Sequence, residues 1–406
     1  MNISSLFSKV KNLLLRIRSR LITEYTIMYL YPSIYRKYSE KALDADKVIF
    51  IESRLDKLSN SFQVLYQRLG KETDYKLKIH FLRKTFVSNR EYINNCKELI
   101  RDMATAKYVF MDEATHILGR IQLRDETELV QLWHGCGAFK KFGYSAADGK
   151  FGASRRAKER YPVHTNYTLA TVSSKEVIPH FENAMNSQGK GTVQATGVSR
   201  TDKFYDEEFI AAAFRKLYSA LPEAENKKII LYAPTFRGNV EAAAAPDRLD
   251  TEAMEKALGD RYILLIKHHP LVRRRPEVKG SSFAFDFSDV MSVEELLCVS
   301  DICISDYSSL IFEYSLFERP MIFFAYDLKE YFDSRGFYYD YDELTPGPVF
   351  KSTKEITDYI DNIENNFDVN TVKSFREKFM SACDGKATDR IIDKVFGEEY
   401  GKHLRR

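Results

Sequence analysis

The sequence predicts an α/β protein of two doubly wound, mostly parallel domains preceded by an amphipathic helical segment. Three observations lead there. Short apolar runs alternate with amphipathic stretches from about residue 45 onward. The alternation breaks at the polar, proline-bearing stretch Leu221–Lys228 and then restarts. A chain of 406 residues exceeds one ordinary core and suits two. The resulting divisions are 1–44 for the helical segment, 45–222 for the first domain and 223–406 for the second, with terminal helices.

The N-terminal segment comes first. Residues 1–41 carry Lys9, Lys11, Arg16, Arg18, Arg20, Arg36, Lys37 and Lys41 against Glu24 and Glu40. At 100° per residue Phe7, Val10, Leu13, Leu14, Ile17 and Leu21 share one arc, with Lys9, Arg16 and Arg20 opposite. A basic amphipathic helix of this kind suits an anionic membrane surface; the alternative is a helix packed on the protein's own core. Beyond Pro32 the apolar runs Lys47–Ser53, Tyr75–Leu82, Lys107–Met111, Val130–Trp133, Leu169–Val172 and Thr192–Ala195 read as strands, with helices near 61–71 and over Arg90–Met103. The second domain repeats the rhythm with Ile229–Ala233, Tyr262–Ile266, Phe283–Phe287, Asp301–Ser305 and Met321–Phe324. Val240–Pro246, with its run of alanines, reads as a loop or a helix start. Parallel sheets bind ligands beyond the carboxyl ends of their strands, so two such domains imply a cleft between them.

Composition narrows the function. The net charge of +3 leaves basic function local and disfavours nucleic acid as a partner. Five cysteines without a CxxC pair argue against a disulfide framework or a zinc knuckle and fit a reducing cytoplasm. No cleavable signal peptide and no run of about 18 apolar residues is present. The phosphate-loop, dinucleotide, HExxH and GxSxG signatures are missing too, which lowers NTPase, dehydrogenase, metalloprotease and hydrolase readings. No firmly bound cofactor is expected. The acidic pairs Asp44/Asp46 and Asp340/Asp342 leave room for a divalent cation, although such pairs recur by chance.

Four segments at strand ends carry the chemistry. In Gln131–Gly143 a strand delivers His134 into a Gly-Cys-Gly turn followed by Lys140 and Lys141. A histidine so placed can take a proton from an attacking hydroxyl; the plainer reading is a histidine satisfied within a turn. In Ile266–Pro270, Lys267 with either His268 or His269 suits phosphate binding, because adjacent residues on an extended chain face opposite ways. In Ile302–Ser315, the strand ends at Ser305-Asp306, and Ser308 and Ser309 open a helix. Free N–H groups and hydroxyls there suit a pyrophosphate; simple capping is the alternative. In Leu231–Arg237, Pro234 ends a strand and aims Thr235 and Arg237 at the cleft, where Arg suits a phosphate or an ordinary ion pair.

With Thr196–Asp202 and the tract Tyr331–Asp340 followed by Pro346-Gly-Pro348, these segments resemble the CDP-glycerol glycerophosphotransferase family of teichoic-acid and capsule synthesis over residues 130–350. The resemblance implies a GT-B-type fold with the donor between two Rossmann-like domains. It implies transfer of glycerol phosphate from CDP-glycerol to a hydroxyl of a lipid-linked polymer acceptor, with release of CMP. The place of action would be peripheral, at the cytoplasmic face of a bacterial membrane. Carried over by motif, His134 would be the general base and His269 would contact the diphosphate. Lys141, Arg200, Asp202, Thr235, Arg237, Lys267, Asp306, Ser308, Ser309 and Glu313 would bind substrate. Cys136-Gly137-Ala138 departs from the family's usual Thr-Pro-Leu and His268 replaces a frequent Met, so the sub-activity stays open. CDP-ribitol is the alternative donor; a nucleotide-sugar is a more distant one.

Overall fold

Strands buried residue after residue, such as Tyr262–Ile266 and Met321–Phe324, require a layer of helices on both faces of a sheet, and the computed structural model shows two such sandwiches. It describes residues 3–149, 152–238, 242–246, 248–278 and 281–405, without the side chains of residues 3–10, 16, 86 and 332–335. The first sheet contains β1 (Asp44–Glu52), β2 (Lys76–Phe81), β3 (Ala106–Met111), β4 (Glu128–Gln131), β5 (Leu169–Thr171) and β6 (Val193–Gln194), in the order β2-β1-β3-β4-β5-β6. All neighbours run parallel. Along β1, Ile49 and Ile51 pack with Leu99, Ile100 and Met103 of the helix Asn89–Met103. Val48 and Phe50 face the other way, onto Phe62, Leu65 and Leu69 of the helix Asn60–Glu72.

The second sheet holds β7 (Lys228–Tyr232), β8 (Tyr262–Ile266), β9 (Ala284–Asp286), β10 (Ile302–Ser305), β11 (Met321–Phe324) and β12 (Val349–Phe350), ordered β12-β11-β10-β7-β8-β9. Counted from β7 this is the dinucleotide-fold order 3-2-1-4-5-6, with its switch point between β7 and β10. In the first sheet the order reverses between β1 and β3. Both switch points open toward the region between the domains, where Cys136, Ala138 and Phe139 of the first share one buried cluster with Phe312 and Phe323 of the second.

Two features differ from the sequence reading, one in β12 and one in the terminal helix. The two-residue β12 is too short to register as an apolar run. The terminal helix Ala387–Val395, assigned from sequence to the second domain, covers the first sheet: Ile391, Ile392, Val395 and Phe396 pack with Val48, Phe50 and Phe110. Its amphipathic pattern carries no mark of which sheet it will cover. The chain returns there through Ser173, whose hydroxyl donates to Phe379 O (2.7 Å) and whose carbonyl accepts from Ala382 N (2.9 Å). The N-terminal helix Ile3–Tyr25 is not packed on the core, since Leu13, Leu14, Ile17 and Leu21 are 45–62% exposed. The side chains of Phe7, Lys9, Val10 and Arg16, named in its two faces, lie outside the described residues, as do residues 240 and 241 of Val240–Pro246. The remainder of that stretch is a loop, with Ala244 bridged to Arg237. No described helix is long and apolar enough to cross a membrane.

Candidate active site

The carboxyl ends of β1, β3 and β4 gather the first domain's polar side chains. β1 ends on Glu52, whose carboxylate accepts from the amides of Arg54, Leu55 and Ser59 and braces that loop. β3 runs into Asp112, buried, which accepts from Arg54 Nη2 (3.0 Å) and Ser59 Oγ (2.8 Å). After β4 the chain turns sharply at Trp133, a non-glycine residue at φ +59°, held by its amide on Gln131 Oε1 (3.0 Å). A left-handed residue of this bulk is strained and persists only where its surroundings fix it. Here Phe142 and Phe181 pack the indole, and His134 stacks on it at 4.7 Å.

That turn presents His134 one-third exposed. Its Nδ1 lies 2.9 Å from Asp112 O and 3.3 Å from Glu113 Oε1. A carbonyl only accepts, so Nδ1 carries the proton and Nε2 keeps its lone pair. Burial lowers the His134 pKa below the ordinary histidine value. Burial also raises Glu113 to about 7, against the pull of Arg54.

The second domain supplies the facing wall. His269 is exposed beside Phe236 (4.9 Å), and its Nδ1 accepts from Leu271 N (3.2 Å), so in the neutral ring Nε2 carries the proton. Its pKa is lowered, first by partial burial of the ring and then by the charge of Lys140 in the first domain. His268 is buried with its amide on Ser288 Oγ (2.8 Å), which leaves His269 as the histidine of the pair facing outward. The switch-point turn after β10 carries Ser308 and Ser309. Ser309 is exposed and forms no side-chain cap, while Ser308 Oγ accepts only a long contact from Leu310 N (3.4 Å). A Cβ built on Gly135 would stand 3.7 Å from Ser309 Oγ, so the His134 turn and the serine turn are adjacent. Thr235 lies beside them, its amide on Asp306 Oδ1 (2.8 Å) and its buried hydroxyl without a protein partner.

Other residues expected to bind substrate are engaged by the protein itself. Arg237 grips Asp327 with Nε (2.6 Å) and Nη2 (3.0 Å) and meets Asp306 Oδ2 at 3.0 Å. Asp306 is thereby a brace between the ends of β7 and β10. Lys267 Nζ donates to the carbonyls of Ser288 and Met291, both at 2.6 Å. Asp202 caps the terminal helix through the amides of Ala387 (3.1 Å) and Thr388 (2.7 Å). Arg200 and Glu313 meet in a buried cluster, Nε to Oε1 at 2.9 Å. Lys141 is exposed, with its amide donating to Gly336 O (3.2 Å). The acidic pairs sit elsewhere: Asp44 and Asp46 pair with Lys76 at the far end of β1, and Asp340 precedes the turn Tyr341–Leu344. Among the described residues no group of three or more His, Cys, Asp or Glu is arranged to hold a metal.

Sequence reasoning missed Glu52, Asp112 and Glu113. The available signal was a carboxylate ending each apolar run, Phe50-Ile-Glu52 and Phe110-Met-Asp-Glu113.

With this geometry in place, comparison with known proteins adds the lineage. The family model for CDP-glycerol:poly(glycerophosphate) glycerophosphotransferases matches residues 33–397. A teichoic acid poly(ribitol-phosphate) polymerase of Bacillus spizizenii is 37% identical over 359 residues, 87% of this chain and 56% of that protein. The chain therefore spans little more than half the length of that relative. A teichoic acid ribitol-phosphate primase of the same organism is 35% identical over 358 residues, 86% of this chain and 90% of its own. The solved wall teichoic acid polymerase TagF matches with a TM-score of 0.74 at 22% identity, over 98% of this chain and 97% of that one, which fixes the fold as GT-B-like. Sheet order, the paired strand-end turns and a match over nine-tenths of the sequence agree that the chain belongs to the CDP-glycerol:poly(glycerophosphate) glycerophosphotransferase family.

Proposed function

We propose that the chain transfers a polyol phosphate from a CDP-polyol to a hydroxyl of a lipid-linked, teichoic-acid-like or capsular polymer, releasing CMP. The acceptor oxygen attacks the phosphorus that bears the polyol, the bridging P–O bond breaks, and CMP takes that bond's electrons. The proton of the hydroxyl goes to Nε2 of His134. The observation carrying this reading is the pair of histidines set in opposite tautomers: a lone pair at His134 Nε2 and an N–H at His269 Nε2. Phosphoryl transfer needs a proton acceptor on the attacking side and donors on the diphosphate side, with positioning supplying most of the rate. Ser308, Ser309 and the Thr235 hydroxyl, with Lys140 and Lys141 across the cleft, serve as donors to the diphosphate in this reading.

Glycerol is the polyol in the family's description, yet ribitol-phosphate enzymes reach 37% identity where glycerol-phosphate ones stand at 28–31%. That ranking favours CDP-ribitol as a second reading of the donor. The exposed apolar stripe Leu13, Leu14, Ile17 and Leu21, flanked by Lys11 and Arg18 with Arg20 opposite, supports peripheral attachment to an anionic membrane. Incubation with CDP-glycerol, CDP-ribitol and UDP-sugars, with and without a lipid-linked acceptor, tests the whole proposal. CMP release from one CDP-polyol that rises with acceptor is expected. UDP release from a sugar donor instead would move the chain to glycosyl transfer.

A further inference from the structure

A buried guanidinium joins the two domains directly behind His134. Arg200, in the turn Ser199–Tyr205 of the first domain, points three nitrogens at three different acceptors. Nη1 donates to the carbonyl of His134 (2.6 Å), Nη2 to Glu294 Oε1 (2.7 Å), and Nε meets Glu313 Oε1 at 2.9 Å. Both carboxylates belong to the second domain. Glu294 opens the helix Val293–Val299, and Glu313 lies in the short helix Leu310–Tyr314 that follows Ser308 and Ser309. The side chains of all three residues are only 4–11% exposed, so no substrate reaches them.

We propose that Arg200 is a positioning residue: it holds the backbone of His134 in register with the serine turn of the opposite domain, so that the proton acceptor is aligned by the donor-side domain. This rests on the transfer reading above. Two arguments carry it. First, a buried ion cluster adds little stability over apolar residues of the same size, but a planar fork bonded to two fixed acceptors, with a third carboxylate against its Nε, specifies geometry. Second, the cluster's ends are the two places the reaction must align. One arm ends on the carbonyl of the residue bearing the base. The other ends one helical turn beyond the serines, where Ser309 Oγ lies 3.7 Å from the place a Cβ on Gly135 would take. Glu313 is the looser arm. Its contact with Nε is close, yet neither atom makes an aligned hydrogen bond.

The test uses the full chain and whichever CDP-polyol the wild type turns over. Arg200→Lys keeps the charge and loses the fork. We expect kcat to fall by about 10- to 100-fold, the scale of small misplacements at a reacting centre, with donor Kd changed less than about twofold. The same substitution in a His134→Ala background should cost nothing further, because the residue acts through His134. Glu313→Gln should show the same pattern at smaller size, and it stands in should Arg200→Lys fail to fold. A full additional loss in the His134→Ala background would overturn the proposal, as would unchanged kcat. A Kd that weakens in step with kcat would do so too, making Arg200 a donor contact. Should no CDP-polyol be turned over, the transfer reading fails, and the imidazole NMR signal of His134 decides this point separately. Arg200→Lys or Glu313→Gln should shift that signal, and an unmoved signal would refute the alignment.

Discussion

Replacing Gly137 by alanine strikes the joint between the domains at one atom. Gly137 sits at φ +63°, its amide donates to Ser173 Oγ (2.9 Å), and a Cβ there would stand 2.4 Å from three atoms of the Phe312 ring. Two costs add. A left-handed backbone carries about 1–2 kcal/mol for a residue with a Cβ. The ring cannot swing away freely, because Phe312 is fully buried, stacks on Phe375 at 5.2 Å and meets Phe379 edge-on at 5.3 Å. Overpacking of such a site costs about 1–3 kcal/mol. The expected loss is therefore about 2–5 kcal/mol, a large share of a typical domain's total stability. Urea unfolding gives the value, and repeating the substitution in a Phe312→Ala background separates the terms: about 1–2 kcal/mol should remain. Turnover should fall as well, since Gly135 and His134 ride on the same turn. A loss under about 1 kcal/mol, or one that does not shrink when the ring is removed, would refute the reasoning.

Four further outcomes are expected. His134→Ala should lower kcat by at least about a hundredfold with donor affinity little changed; near-normal turnover would remove it as base. In the wild type, the acid limb of kcat/KM should fall below the ordinary histidine midpoint, because burial depresses the His134 pKa and the free base persists to lower pH. Ser308→Ala together with Ser309→Ala should weaken donor binding in calorimetric titration, and an unchanged Kd would leave the serines as helix-end residues only. Glu313→Gln should also change the pH dependence of stability. Burial raises Glu313 from 4.5 to about 7, so the folded state prefers its protonated form. The stability this contributes is full below about pH 4.5 and lost as pH rises through 7. Wild type should therefore lose about 3 kcal/mol relative to Glu313→Gln between pH 4.5 and pH 8, at about 1.4 kcal/mol per pKa unit. Parallel stabilities at both pH values would contradict this.

Most strands were legible because a buried parallel strand must be apolar on both faces, and runs such as Ile229–Ala233 satisfy that locally. Their order was not, since pairing joins residues far apart in sequence. The site divided the same way. His134, Ser308 and Ser309 stand beside glycines, prolines or strand ends that mark them. Glu294 looked like any acidic residue in a helix's first turn, next to the capping box of Ser292 and Glu295. Only the packed structure brings it to Arg200. Arg200, Asp202 and Lys267 were expected to bind substrate; in the structure their side chains bond to the protein itself, and a motif does not reveal whether a charge faces a ligand or a neighbouring helix.

The return of the chain to the first domain has a mechanical consequence. The polypeptide passes between the domains at Pro222–Asn226 and again just beyond Phe379, where Ser173 holds the backbone on both sides. A body tied at a single point can swivel about any line through it. One tied at two points keeps only the rotation about the line joining them. Any swing of one domain against the other that keeps both crossings is therefore a page-like rotation about the line through them. The second tie also carries the helix whose Ile391, Ile392 and Phe396 cover the first sheet.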